Sequence, residues 1–462
     1  MTSIVPDRAA ARALGSVLRR LGYVEDALEE LVGDDAFGGG REEVLVAERR
    51  LGDSKLETAI RLLFLQRPVP ERDAVEALGR KAVDGLAKTG LAEVGGGEVV
   101  PHSRLAPIGA VLLASDGFTR DADDPPDYVA SYTPTARTAD LLTPRPRGGR
   151  ALDVGTGSGI HALLAAQHSS HVVAIDVNPR ALAYTELNAA LNGFDHLECR
   201  AGSFFEPVEG ETFDLIVCNA PFVVSPESRW VYRDSGFRGD DVTAHVVAGA
   251  AEHLAEGGYA TLLGSWLITD EDEPEARPIA WVEESRCAGW ILTSIETDAL
   301  DHAAGWNASF FGDPQAYTAV LDDWTRYFAD LGASHVAEGA ILLHRGEGRT
   351  TVRVDEIDED VLELAGKQIR RAFDNRARIR NSELPKARLA RAMPLVFERR
   401  LGRGRGELVI DGGTRSVLPA SAEAAALIER LDGQTSLRRL GADARTVALC
   451  RDLLELGALR FA

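Results

Sequence analysis

Glycine recurs at every second position between two apolar runs, and that stretch constrains the fold more than any other part of the chain. Residues 151–154 (ALDV) suit a buried parallel strand, and 160–167 have the apolar spacing of a helix. Between them lie Gly155, Thr156, Gly157, Ser158 and Gly159. Glycine has no Cβ, so this G-x-G-x-G turn lets a ligand approach the backbone closely. A second apolar run, 172–175, ends in Asp176, 23 residues after the Asp153 that opens the turn. A carboxylate at a strand end can accept hydrogen bonds from both hydroxyls of a ribose. This order predicts an α/β fold: a doubly wound, Rossmann-like sheet with a nucleoside-bearing cofactor at its carboxyl edge.

These residues resemble the class I S-adenosylmethionine-dependent methyltransferases, over roughly residues 125–345. The resemblance implies S-adenosylmethionine as cofactor. It sets Asp153, Gly155 and Gly157, with Thr156 and Gly159 of the same loop, around the methionine part. Asp176 then holds the ribose, and Val177 and Asn178 lie beside the adenine. Many relatives carry an Asp near the adenine amino group; this chain has Gly202-Ser203 there, and the Ser203 hydroxyl can still accept a hydrogen bond. Tyr132-Thr133-Pro134 resembles the segment that lids the cofactor, which brings Thr133 to the site. The same residues equally suit an ordinary helix start with proline in the first turn.

A third apolar run, 213–218, leads into Asn219-Ala220-Pro221-Phe222. This resembles the Asn-Pro-Pro-Tyr/Phe motif of enzymes that methylate amide or exocyclic amino nitrogens, with Ala220 in place of the first proline. The resemblance implies that the Asn219 oxygen and the Ala220 carbonyl accept the two N–H groups of a planar nitrogen while Phe222 packs on its plane. The backbone acceptor survives the Ala220 change, but proline's fixed φ is lost. The Asp234-x-Gly236-x-x-Gly239 spacing that follows resembles the loop of glutamine methylases acting on release factors. Phe222 is closer to ribosomal-RNA amino methylases. A protein glutamine is preferred as acceptor, with an RNA or DNA base amino group as alternative and a cofactor-binding scaffold that has lost turnover as the non-enzyme reading.

A net charge of −21 over 462 residues argues against indiscriminate coating of nucleic acid. Residues 366–405 stand apart, with thirteen Lys or Arg against three acids. Such a strip can track RNA or DNA phosphates or dock on the acidic remainder of the same protein. The four cysteines have no metal-ligand spacing, so no zinc site or disulfide framework is expected. No apolar run approaches a membrane span and none marks a signal region, which predicts a cytoplasmic protein.

Three regions are expected. Residues 1–124 read as helices followed by a glycine-turn hairpin near 90–100, a winged-helix-like order, with 121–126 as linker. Residues 125–345 form the catalytic domain, its last strands at 259–268, 291–296 and 340–343. Residues 346–462 hold the basic strip and a small winged-helix-like unit, with a hairpin around Asp411-Gly412-Gly413 and helices at 422–431 and 444–456. That unit resembles the peptide-presenting domain typified by the pyrroloquinoline-quinone chaperone, and it suits a dimerisation or stability module as well. His161 reads as a core or capping residue and Trp266 as packing.

Overall fold

The computed structural model describes residues 3–33, 41–117, 125–219, 221–226, 236–270, 272–346, 350–379, 382–399 and 406–462. The chain opens with helices Arg8–Leu21, Glu25–Val32, Arg41–Arg50 and Lys55–Ala59, the last continuing through a π turn, Ile60–Phe64. Strand β1 (Val69–Pro70), helices Glu71–Leu78 and Arg80–Thr89, and the hairpin β2 (Ala92–Gly95) and β3 (Glu98–Pro101) follow. Gly96 and Gly97 form the hairpin turn with φ of 62° and 86°, a geometry that glycine adopts without a Cβ penalty. β1 completes an antiparallel sheet in the order β1–β3–β2.

A second hairpin, β4 (Ser103–Ile108) and β5 (Val111–Asp116), is buried at every residue. A buried strand edge must find partners for its N–H and C=O groups. Here they come from side chains of the helix Pro179–Asn192. The Asn188 amide accepts from the Ala114 N–H and donates to the Ala114 carbonyl, both at 2.8 Å. Asn192 brackets Leu112 in the same way, at 2.9 and 2.7 Å. Four residues apart on a helix, the two amides match alternate residues of a strand and stand in for a third strand. Asn188 also donates to the Ser158 carbonyl at 2.8 Å, tying the hairpin to the glycine turn. Beside it, buried Asp116 accepts from Arg180 Nε at 3.0 Å, from the Tyr184 hydroxyl at 2.8 Å and from the Val129 N–H at 2.9 Å.

The central sheet has the order β13–β11–β12–β10–β9–β6–β7–β8. Strands β6 (Arg150–Val154), β7 (His171–Asp176), β8 (Leu197–Ala201), β9 (Phe213–Cys218) and β10 (Leu254–Thr269) are mutually parallel. Their near-continuous apolar runs reflect cover on both faces. Helices Pro134–Leu142, Ile160–Ala166 and Ala365–Arg378 contribute to the core on one side, and Asp241–His253 and Ala276–Ser285 to the core on the other. β12 (Ala333–His344) pairs antiparallel with both β10 and β11 (Ala288–Asp298). The expected last strands lie within β10, β11 and β12. The sheet then takes its outermost strand, β13 (Val352–Glu356), from beyond residue 345.

The C-terminal part packs on this sheet through the helix Ala365–Arg378. Gly366 of that helix comes so near the Thr143 carbonyl that a Cβ would sit 2.3 Å from it. Its Gln368 bonds Thr414 and the Leu456 carbonyl, and its Asn375 bonds the Leu454 and Leu459 carbonyls. The hairpin expected around Gly412-Gly413 is formed by strands Gly406–Ile410 and Val417–Ala420, and helices Ala422–Glu429 and Ala444–Glu455 follow it. Two arginines of the strip turn inward: Arg371 donates to the Gly457 carbonyl at 2.6 Å, and Arg376 lies over Trp290 and Phe373. The exposed Arg378 lies on a ring of the C-terminal strand, Phe461.

Asn188→Ala is expected to lower unfolding free energy by about 2–4 kcal/mol, because it strands three buried backbone groups. Urea unfolding checks this; a change below about 1 kcal/mol would show that the hairpin edge does not need the amide.

Candidate active site

Strand register brings the sequence elements together. Val154 pairs with Ile175 on one side and Cys218 on the other, and Asp176 pairs with Ala201. The glycine loop, Asp176, Gly202 and Asn219 therefore all leave the sheet at one edge. β7 and β8 extend from β6 in one direction, whereas β9 and β10 extend in the other. The crevice between β6 and β9 is thus the point of reversal at which open α/β sheets bind ligands.

Gly155, Gly157 and Gly159 have φ of 70°, 55° and 87°. A Cβ on Gly157 would meet open space, whereas one on Gly159 would strike the Thr185 side chain at 2.8 Å. So Gly159 serves helix packing and Gly157 keeps the loop surface clear. Asp153 braces the turn from beneath: its Oδ2 accepts from the Thr156 hydroxyl at 2.7 Å and the Ala162 N–H at 2.9 Å. Asp153 Oδ1 is buried with no hydrogen-bond partner among the described residues. Burial pushes this carboxyl up to about 7, against the bonds from Thr156 and Ala162.

Asp176 accepts the Gly157 N–H on Oδ2 and the Asn178 N–H on Oδ1, each at 2.9 Å. Burial raises its pKa while the backbone bonds from Asn178, Gly157 and Val177 oppose the shift. Val177 is 54% exposed, an apolar surface beside that carboxylate. The Asn178 side chain caps the following helix by accepting from the Arg180 N–H, and it donates to the Asp127 carbonyl. Gly202 donates to the Asp176 carbonyl at 3.1 Å, which draws Ser203 toward the same edge. Thr133 is the N-cap of Pro134–Leu142, accepting from the Ala136 N–H, with Pro134 in the first turn.

Asn219, Pro221 and Phe222 are half-buried where β9 ends, and Phe222 packs against the core on the Pro134–Leu142 side. Ala220 and the Asp234 end of the glycine-rich loop lie outside the described residues. Gly236 and Gly239 of that loop have φ of 75° and 59°. The loop's end is anchored: the Gly239 N–H donates to the Tyr327 hydroxyl at 2.7 Å, and buried Asp240 accepts from Arg277 and the Leu267 N–H.

Spacing alone did not reveal two features. One is an aromatic trio beside Ser203, in which Phe204, Phe237 and His245 have ring centroids 5.1–5.7 Å apart. The other is a helical cap, Ala299–Trp306 and Pro314–Leu331, inserted between β11 and β12 and packed on Val223 and Val224. Both join segments far apart in sequence. His161 is buried, and burial lowers its pKa to about 4. Trp266 is fully buried and donates to the Pro274 carbonyl. Among the described residues no helix is long and apolar enough to cross a membrane.

Residues 138–266 match the family described as Methyltransferase small domain. Over these residues the chain carries a methyltransferase domain, for which the cofactor expected from the sequence is S-adenosylmethionine. Residues 20–102 match a domain of unknown function, DUF7059. The chain is similar to a release factor glutamine methyltransferase of Xylella fastidiosa, 35% identical over 129 residues, 25% of this chain and 47% of that protein. It is similar also to a ribosomal protein uL3 glutamine methyltransferase of Bradyrhizobium diazoefficiens, 33% identical over 31% of this chain and 51% of the relative. A release factor glutamine methyltransferase of Cereibacter sphaeroides is 35% identical over 39% of this chain and 64% of its own length. The chain thus spans between about half and just under two thirds of these curated relatives.

The residues present fit that cofactor. Asp176 keeps a second lone pair on each oxygen for ribose hydroxyls, Val177 offers an apolar face to a flat ring, and the orphaned Asp153 oxygen suits a cationic donor. The buried Asp153 also predicts a pH dependence. The folded carboxyl holds its proton to about pH 7, the unfolded one only to about 4. The native state therefore binds the extra proton within that window, and this group's contribution to stability falls as pH rises through it. Asp153→Asn removes the effect, so the variant's melting temperature relative to the native protein should rise between about pH 5 and pH 8. A difference independent of pH would show that Asp153 is already ionised at the lower value.

Proposed function

We propose that the protein transfers the methyl group of S-adenosylmethionine to the side-chain amide nitrogen of a glutamine in another protein. The observation that carries this reading is the place of Asn219, directly after a strand paired in register with the one that feeds the glycine loop. When bound, the cofactor supplies an electrophilic methyl on a sulfonium. An amide nitrogen is a poor nucleophile, because its lone pair is delocalised into the carbonyl. The Asn219 side-chain oxygen and the Ala220 carbonyl accept its two hydrogens, and Phe222 packs on the amide plane. Held so, the nitrogen lies in line with the methyl, and both acceptors stabilise positive charge as it builds. Transfer would form the C–N bond as the cofactor's C–S bond broke, and the proton released from nitrogen would pass to water. Asp176 and the glycine loop hold the nucleoside and methionine parts in place.

Two facts favour protein over nucleic acid. The relatives named above act on a release factor or a ribosomal protein. Arg371 and Arg376 of the basic strip are engaged inside the fold, which reduces what is left to follow a phosphate backbone.

The test incubates the protein and labelled cofactor with purified release factors, ribosomal proteins and ribosomal RNA. Label should enter one protein, on a glutamine. Label in RNA would overturn the protein reading, and label in none, with cofactor binding intact, would leave a scaffold. Asn219→Ala should lower single-turnover methyl transfer by about 10²–10³ while changing cofactor affinity by less than about threefold. Asp176→Ala should instead weaken cofactor binding by about ten- to a hundredfold in calorimetry.

A further inference from the structure

The cap reaches the acceptor segment through one buried histidine. Val223 and Val224, directly after Phe222, are buried against Ala303, Trp324 and Phe328 of the cap and Leu267 and Val336 of the sheet. Within this apolar contact His302 Nε2 lies 3.3 Å from the Val224 carbonyl oxygen. A carbonyl can only accept, so Nε2 carries the hydrogen and the tautomer is set by Val224. The other ring nitrogen, Nδ1, lies 3.6 Å from Glu338 Oε1 on β12. The ring itself is wedged between Trp324 and Phe328, with centroids 6.0 and 5.7 Å away. His302 is only 4% exposed and Glu338 is largely buried. Burial lowers His302 to about 4, and burial together with Glu359 raises Glu338. Both shifts favour a neutral imidazole donating from Nε2.

We propose that His302, held between Trp324 and Phe328, is a positioning residue that fixes the segment 221–225 so that Asn219 and Phe222 present a rigid acceptor site. The proposal rests on the glutamine-methylase reading above and deepens it. Methyl transfer to an amide depends on in-line placement, and a misplacement of about 1 Å can cost on the order of a hundredfold in rate. At residue 220 this chain has alanine, so the φ restraint that proline would supply is missing there. The anchor three residues downstream of Pro221 restrains the same segment from its other end. It also joins the two ends of the loop after β9 to one body, since the Gly239 N–H is bonded to Tyr327 of the same cap.

Two substitutions separate positioning from packing. His302→Gln keeps a donor near Nε2 with less apolar fill, whereas His302→Phe keeps the ring between Trp324 and Phe328 and removes the donor. Amide hydrogen exchange at Phe222, Val223, Val224 and Ser225 is measured on the free protein, beside single-turnover methyl transfer and cofactor affinity. The expected result for Phe is exchange faster by about tenfold or more, and transfer slower by about 10- to 100-fold, with cofactor affinity unchanged. Gln should stay within about threefold of the native protein in both. A packing role alone would reverse that order, with Phe near native and Gln impaired, and would overturn the proposal. Unchanged exchange in both variants would overturn it too. Should Phe unfold the protein, His302→Leu, which also removes the donor, reads the same segment: faster exchange supports the proposal and native exchange refutes it. Because exchange needs no acceptor, it stands even if the methylated group proves not to be glutamine.

Discussion

Val154 sits opposite Ile175 on one side and Cys218 on the other, and this parallel register brings the working parts of the molecule to one edge. A strand moved by a single residue would turn its side chains to the opposite face. A glycine loop alone is a tight turn, and an Asn after a strand is a common turn start. Placed on adjacent strands at the point where the sheet reverses direction, they become two walls of one crevice. The near-continuous apolar runs of β6, β7 and β9 reflect cover on both faces of the sheet.

Buried carboxylates hold the loops at that edge. Asp153 braces the glycine turn, Asp116 holds Arg180 and Tyr184 at the start of the next helix, and Asp240 holds Arg277 and the backbone of β10. Taking a carboxylate out of water is costly unless hydrogen bonds compensate. Each of these aspartates has two or more donors, and only Asp153 leaves an oxygen without one. The exception lies next to the loop that a cationic cofactor would meet.

Hydrogen bonds from primary amides to backbone edges hold the appended parts together. Asn188 and Asn192 complete the hairpin of β4 and β5, while Gln368 and Asn375 tie the helix Ala365–Arg378 to the C-terminal turns. A primary amide both donates and accepts, so a single side chain can satisfy a residue's N–H and C=O together. The same need explains the inward arginines of the basic strip, whose guanidinium groups cap carbonyls and lie over aromatic rings.

The sequence by itself determined the α/β sheet, the glycine turn, Asp176 and Asn219 at strand ends, and the C-terminal hairpin and helices. Each of these depends on local spacing: apolar runs, glycine where φ is positive, an acid or amide at a fixed offset from a strand. Only the tertiary structure decided that β13 closes the sheet and that the cap lies on Val224. It also decided that Phe204, Phe237 and His245 meet beside Ser203. Those features join residues tens to hundreds of positions apart, through single contacts with no period to detect. An Asn repeated at i and i+4, as at 188 and 192, looks like a polar helix face until the strand it completes is packed against it.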